Sequence, residues 1–242
     1  MADIIYGRNP VLEAIKGDIK LERLMVQKGL EGSVNKIIAK AKEKNIKLVF
    51  SQKRELDRIT DGNHQGIIAY IETYRYSTVE DILKRAESLQ EQPFVVILDG
   101  IEDPHNLGAI IRTAEGAGTH GIIIPENRSA SVNETVIKTS TGAVFHLPVA
   151  KVKNISKTID LLKEKGLWVY GLDMDGVDYY KEDLTGPAAI VIGSEGRGLG
   201  RLVKEKCDVI LSIPMKGKVN SLNASNAAAV VIYETVKQRN DA

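Results

Sequence analysis

The sequence predicts an α/β protein: a long C-terminal domain built on a parallel sheet with helices on both faces, preceded by a smaller α/β domain. Three observations carry this. Residues 94–98, Phe-Val-Val-Ile-Leu, form a continuous apolar run of the kind buried on both faces of a parallel sheet. Similar runs recur at 121–124, 167–170, 188–192 and 209–213, and helical segments at 107–115, 133–139, 155–165, 199–206 and 222–236 separate most of them. A shorter alternation of strands and helices fills the N-terminal part, which at roughly 70 residues can hold a core of its own.

In that first part, Asn9 is expected to cap a helix that Pro10 begins, with Val11, Leu12, Ala14 and Ile15 as its apolar face and Gly17 as its stop. Residues 21–26 read as a strand, 34–44 as an amphipathic helix, 47–50 as a strand, 53–59 as a short helix and 66–72 as a closing strand. The intervening loop is Thr60-Asp-Gly-Asn-His-Gln-Gly66. Asp61-Gly62-Asn63 is a turn, whereas His64 and Gln65 are side chains able to stack on or hydrogen-bond to a base edge or ribose. Tyr74, Arg75 and Tyr76 open a linker anchored by its aromatics, and a helix over 79–89 leads into the second domain. The expected boundaries are therefore 1–74, a linker at 75–92, and 93–242. In parallel sheets ligands bind beyond the carboxyl ends of the strands, which here means Asp99, Leu172, Gly193 and Pro214 onward.

Composition narrows the class. Of 242 residues, 43% are hydrophobic and 27% charged, as in an ordinary globular protein. The single cysteine, Cys207, excludes an internal disulfide, and no cysteine spacing suits a metal, so none is expected. The N-terminus lacks the apolar core of a signal peptide and no apolar run approaches ~18 residues, so a soluble cytoplasmic protein is expected. Residues 1–75 carry 14 Lys+Arg against 10 Asp+Glu, while the remainder carries 19 against 22. A basic first part hints at a polyanion, although Lys36, Lys40, Lys42 and Lys44 also read as a solvated helix face.

Two glycine strings need sorting. Gly116-Ala-Gly-Thr-His-Gly121 matches a dinucleotide fingerprint in letters, but it closes a helix and precedes a strand, the reverse of what that fingerprint requires. A nicotinamide-dependent oxidoreductase is therefore set aside. Gly193-Ser-Glu-Gly-Arg-Gly198 does lie between a strand and a helix, with its glycines in the wrong order for that fingerprint, and it permits close approach of a ligand to backbone. Asn106 reads as a helix cap, and Arg112, six residues on, need not share its face. Near the C-terminus, Asn220, Ser221, Asn223, Ser225 and Asn226 crowd the start of an Ala- and Val-rich helix. Such residues favour caps and turns, but five of them exceed what one cap needs, which points to a binding surface of short donors and acceptors.

Taken together, Asn106-Leu-Gly-Ala-Ile-Ile-Arg112, Gly193-Ser-Glu-Gly-Arg-Gly-Leu199 and the run from Ser212 through Asn220-Ser-Leu-Asn-Ala-Ser225 resemble the three motifs of the SpoU/TrmH family of RNA 2'-O-ribose methyltransferases, in the SPOUT class. The N-terminal Tyr6-Gly-Arg-Asn-Pro-Val and His64-Gln-Gly are similar to the RlmB-like branch, which methylates a guanosine ribose of 23S ribosomal RNA. The resemblance covers nearly the whole chain. It implies a SPOUT domain with a C-terminal trefoil knot, a ribosomal-protein-like RNA-binding module at 1–74, S-adenosylmethionine as methyl donor, and a homodimer with its active site at the subunit interface. Carried over by position, Gly193, Glu195, Gly196, Ile213, Met215, Ser221 and Leu222 hold the cofactor, with Met215 and Leu222 as apolar walls. Arg112 is the central catalytic residue, and Asn106, Glu195, Ser221 and Asn223 surround the reacting ribose and phosphate. Arg8, Lys28, His64, Gln65 and Arg112 are expected to meet RNA. Two further functions fit the same motifs: ribose methylation of tRNA, and a non-catalytic RNA-binding role in ribosome assembly.

Overall fold

A computed structural model describes residues 3–17 and 19–241. The elements in order are β1 (Asp3–Tyr6), α1 (Arg8–Lys16), β2 (Leu21–Gln27), α2 (Ser33–Glu43), β3 (Lys47–Ser51), α3 (Lys53–Asp57), β4 (Ile67–Ile71), α4 (Val79–Leu89), β5 (Phe94–Asp99) and α5 (Pro104–Gly116). They continue with β6 (Gly121–Pro125), α6 (Glu134–Thr139), β7 (Val149–Val152), α7 (Ile155–Glu164), β8 (Trp168–Asp178), β9 (Ala188–Gly193), α8 (Arg201–Lys206), β10 (Val209–Ser212) and α9 (Ala224–Asp241). The chain divides into two units: Met1–Arg75 with Val132–His146, and Tyr76–Ser131 with Leu147–Ala242.

The first unit is a four-stranded mixed sheet in the order β1-β4-β2-β3, with only β2 and β3 parallel. β4 alternates strictly. Ile68 joins Tyr6 and Leu56 in one cluster, so Ile67, Ala69 and Ile71 must line the opposite face. α1 buries Pro10, Val11, Ala14 and Ile15, as its pattern requires. Its cap differs from expectation. Gly7 occupies the N-cap with φ 90°, leaving Asn9 inside the first turn, and the orphan N–H of Arg8 is met by the Gln65 side chain at 3.1 Å. Residues 132–146, assigned to the C-terminal domain on sequence order, group with this unit. His146 Nε2 lies 2.9 Å from Glu13 Oε2, and Gly17 leaves no room for a Cβ beside Phe145.

The second unit is a six-stranded, wholly parallel sheet in the order β10-β8-β9-β5-β6-β7. Val95 and Ile97 of β5 and Val191 of β9 pack with Ile82 of α4 and Ile155, Ile159 and Leu162 of α7. Phe94, Val96 and Leu98 alternate to the other face, where α5 and α9 pack together. β8 runs eight residues beyond the expected end at Tyr170. Its polar second half, Asp173 to Asp178, lies beyond the expected strand, and pairing of Val177 and Asp178 with β10 holds it extended across a register shift. The Gly116–Gly121 string behaves as a helix end followed by a strand: α5 stops at Gly116, Gly118 has φ 72°, and β6 starts at Gly121.

His120, in that string, fastens the start of the central strand. Its Nδ1 accepts from the Phe94 N–H at 2.9 Å and its Nε2 lies 3.1 Å from Glu91, with the ring 1% exposed. Burial, ahead of the opposing pull of Glu91, depresses its pKa below the ordinary histidine value. A base whose folded pKa is depressed contributes stability above its unfolded pKa and loses it as pH falls. Thermal melts should therefore show Tm falling from pH ~7.5 to ~5. His120→Gln should melt lower at the upper pH, with a shallower decline; an equally steep decline in the variant would assign the effect to other groups.

Candidate active site

The middle of β8 and the C-terminal ends of β9 and β10 open onto a cavity of about 530 Å³. The loop after β9 forms one wall. Ser194 and Gly198 exchange backbone hydrogen bonds, N–H of Ser194 to O of Gly198 at 3.2 Å and the reverse at 3.0 Å. Gly193 makes that closure possible, since a Cβ there would overlap the Gly198 carbonyl group. The far end of the loop is fixed by Asp99, at the tip of β5, whose carboxylate accepts the Gly200 N–H at 2.7 Å. The segment after β10 supplies the facing wall, with Ile213, Met215, Ser221 and Leu222. Met215 and Leu222 are each 37% exposed, so their apolar faces are open to a ligand.

Glu195 ties the two walls together. Its Oε1 accepts from the Asn223 side-chain amide, from the Ala224 N–H at 3.2 Å and from the Asn106 amide at 3.4 Å. Asn223 also donates to Asn106 Oδ1 at 3.0 Å. Asn223 Oδ1 accepts the Ser225 N–H at 2.9 Å, so this residue caps α9 and joins the network at once. Asn106 is not the helix cap expected of it. Asp103 takes that place, accepting the His105 N–H at 2.8 Å, and Asn106 is a buried residue of the first turns of α5. A smaller cavity of about 280 Å³ lies beside Glu195, lined by Gly100–Asp103, Asn106, Ser194 and Arg197. Glu195, Ser194 and Arg197 thus border both cavities.

The structure brings together Asn106, Glu195, Asn223, Ser221, Gly193, Gly196, Ile213, Met215 and Leu222. It leaves Arg112 out: that side chain is exposed on α5 and lines neither cavity. Sequence reasoning missed Asp99, Asp173 and Arg197. Asp173 and Arg197 line the larger cavity, and Lys204 bridges Asp175 at 2.6 Å and Asp173 at 2.9 Å, a pairing that holds its ammonium above the ordinary lysine value. The only signal for Asp99 and Asp173 was their place beyond strand ends. Cys207 is no nucleophile, because burial pushes its thiol up to about 12. Among the described residues no three His, Cys, Asp or Glu side chains could hold a metal, and no helix is long and apolar enough to cross a membrane.

In the first unit, Arg8 and Gln65 are joined, Arg8 Nε donating to the Gln65 carbonyl at 3.4 Å, and Lys28 is exposed. His64, expected to touch a base, is instead 6% exposed with both ring nitrogens engaged. Nδ1 accepts the Gly66 N–H at 2.9 Å and Nε2 faces Asp57 Oδ1 at 2.8 Å, so the ring braces its loop from within.

Residues 93–233 match the SpoU rRNA methylase family, and residues 4–77 match the domain described as RNA 2'-O ribose methyltransferase substrate binding. A Bacillus subtilis protein named for the TrmH family of tRNA/rRNA methyltransferases is 46% identical over 98% of this chain and 96% of its own length. The SpoU methyltransferase AviRb from Streptomyces viridochromogenes, solved in complex with AdoMet, superposes with a TM-score of 0.84 at 26% identity, covering 99% of this chain and 91% of that one. An AdoMet-bound rRNA methyltransferase from Sinorhizobium meliloti gives 0.82 at 27% identity, covering 98% and 87%. The A. aeolicus TrmH/SpoU tRNA modifying enzyme gives 0.57 at 26% identity, covering 66% and 85%.

The shared acceptor makes the site a single mechanical unit. Glu195→Ala should speed amide exchange across 193–198 and 220–226 by roughly tenfold or more, the effect of losing about 1–3 kcal/mol of local hydrogen bonding, while exchange in β5 stays unchanged. Equal acceleration in β5 would show the network to be a global brace.

Proposed function

The chain belongs to the SpoU rRNA methylase family, a TrmH-related family of RNA methyltransferases, and from that premise we propose that it transfers a methyl group from S-adenosylmethionine to a ribose 2'-hydroxyl of RNA, in a guanosine of 23S ribosomal RNA. The observation that carries this reading is the Asn106–Glu195–Asn223 network standing between two adjoining cavities. The larger one suits the donor. Its glycine-rich rim lets backbone groups come close, and Met215 and Leu222 offer apolar faces to an adenine. S-adenosylmethionine supplies a methyl already activated on a sulfonium, so the protein's part is positioning and disposal of the hydroxyl proton. The smaller cavity, bordered by Asn106, Glu195 and Arg197, suits the acceptor ribose and its phosphate.

Asn106 and Asn223 hold Glu195 through one oxygen, and its Oε2 takes no part in the network, leaving it for the acceptor hydroxyl. Arg112 clamps the neighbouring phosphate and stabilises the developing alkoxide. A guanidinium stays protonated in proteins, so this role is physically easier than that of general base. Its position outside both cavity linings supports a homodimer in which Arg112 of one copy completes the site of the other. The ribosomal substrate is favoured by the first unit. The S. meliloti rRNA enzyme spans nearly all of this chain, whereas the A. aeolicus tRNA enzyme spans two thirds of it. Arg8, Lys28 and Gln65 of that unit would contact the RNA, with the reaction taking place in the cytoplasm.

Incubation with labelled S-adenosylmethionine and either 23S rRNA or tRNA, followed by mapping of ribose methylation, tests this. One modified guanosine ribose in 23S rRNA is expected. Transfer to tRNA keeps the chemistry and replaces the substrate. Absence of transfer to either RNA, with the RNA still bound, would favour the non-catalytic role. Arg112→Ala should lower kcat by about 100-fold or more. Arg112→Lys should also be weak, having lost the planar fork; substantial activity with a lysine-like pH profile would favour the general-base role.

A further inference from the structure

We propose that the first unit contains a second recognition site, a pocket for one unpaired nucleotide whose base meets the loop at 60–65 and whose phosphate meets Arg8 and Lys53. The proposal rests on the reading that the substrate is RNA. The pocket encloses about 560 Å³, within the range of about 300–1,000 Å³ usual for small-ligand sites.

Its rim is fixed before anything binds. Gly62 N–H donates to Thr60 Oγ1 at 3.1 Å, Gly66 N–H to His64 Nδ1, and Arg8 holds Gln65 through backbone and side chain. A Cβ at Gly62 would overlap the Tyr6 ring, and Gly66 has φ 77°, a conformation that favours glycine. Gln65, a non-glycine residue, is held at φ 50°, a strained conformation of the kind that collects at binding sites.

The rigid loop presents polar edges outward. Asp61, Asn63 and Gln65 are exposed, and Gln65, whose Oε1 is spent on Arg8, still has its amide donors. Asp57 and Asp61 share the lining with Arg8 and Lys53. Two carboxylates on the wall disfavour a bare phosphate. They suit a ligand with an anionic end and a separate end bearing an exocyclic amino group, which is the make-up of a guanine, adenine or cytosine nucleotide and not of a uracil one. Half-buried Leu30 gives the base an apolar surface to lie against. Single-stranded RNA is read in this way, one extruded base at a time.

The test is a heteronuclear NMR titration of the full chain with GMP, AMP, CMP, UMP and inorganic phosphate in separate runs. Saturable shifts of the 61–66 amides are expected with GMP, AMP or CMP, larger than with UMP. Asp61→Ala with Asn63→Ala, both exposed and outside the loop's own bracing, should weaken that binding at least tenfold. Equal shifts with inorganic phosphate would make this an anion site and overturn the proposal, as would shifts confined to 193–224 or none at all. The titration involves no methyl transfer, so its failure is distinct from failure of the methylation assay.

Discussion

Everything in the second unit that bears on chemistry hangs on one carboxylate oxygen. Glu195 Oε1 receives donors from the helix α5 side chain Asn106, from the α9 cap Asn223 and from the first N–H of α9. Without it, the glycine-rich loop, closed by its Ser194–Gly198 bonds, and the segment of short polar residues would no longer be tied to each other. Glycine-rich loops lose more conformational freedom on ordering than others, so a hydrogen-bonded crossing has to offset that cost. A charged acceptor shared by three donors is among the stronger ways to do so.

The sheet explains why the crossing lies where it does. Parallel strands buried on both faces make a rigid platform whose carboxyl ends bring together the loops after β5, β9 and β10, with residues 172–174 of β8 beside them. Asp99 and Gly193 are register partners on neighbouring strands, so the carboxylate that fixes Gly200 and the glycine that starts the loop are aligned by the sheet itself. At the opposite end, His120 and Phe94 lock the same central strand by a side-chain and a backbone hydrogen bond.

Much of this is legible in the sequence because it follows from periodicity. The buried runs at β5, β6 and β9 contain no polar residue to confuse them, and the surplus of Ser and Asn before α9 marks a site because no cap needs so many. What is illegible depends on tertiary pairing. β7, with alternating Val149-Ala-Lys-Val152, is too short to announce itself, and the second half of β8 is a strand only because β10 lies beside it. Asn106 looks like a cap because it follows Asp103-Pro104, and only the helix start at Pro104 shows that Asp103 has that role. His64 looks available because histidine so often serves in binding. The Gly66 N–H and Asp57, which use up both its nitrogens, cannot be read from spacing.

The placement of Arg112 bears on assembly. Asn106 and Arg112 are six residues apart on one helix, a rotation of about 600°, so they point about 120° apart around its axis. Asn106 faces inward to Glu195, and Arg112 is exposed. At that separation the two side chains leave α5 in different directions, and Arg112 lines neither cavity. If both residues serve one ribose, an arginine from the same helix of a second copy, as in the proposed homodimer, would fit this arrangement. Tyr233 of α9, half exposed with its hydroxyl near Gly116 at the end of α5, lies on the surface of this helix pair. A two-fold contact along α5 and α9 would cover that surface and deliver two arginines to two sites symmetrically. In the proposed homodimer the six-residue spacing would let one helix build its own site with one face and its partner's with another.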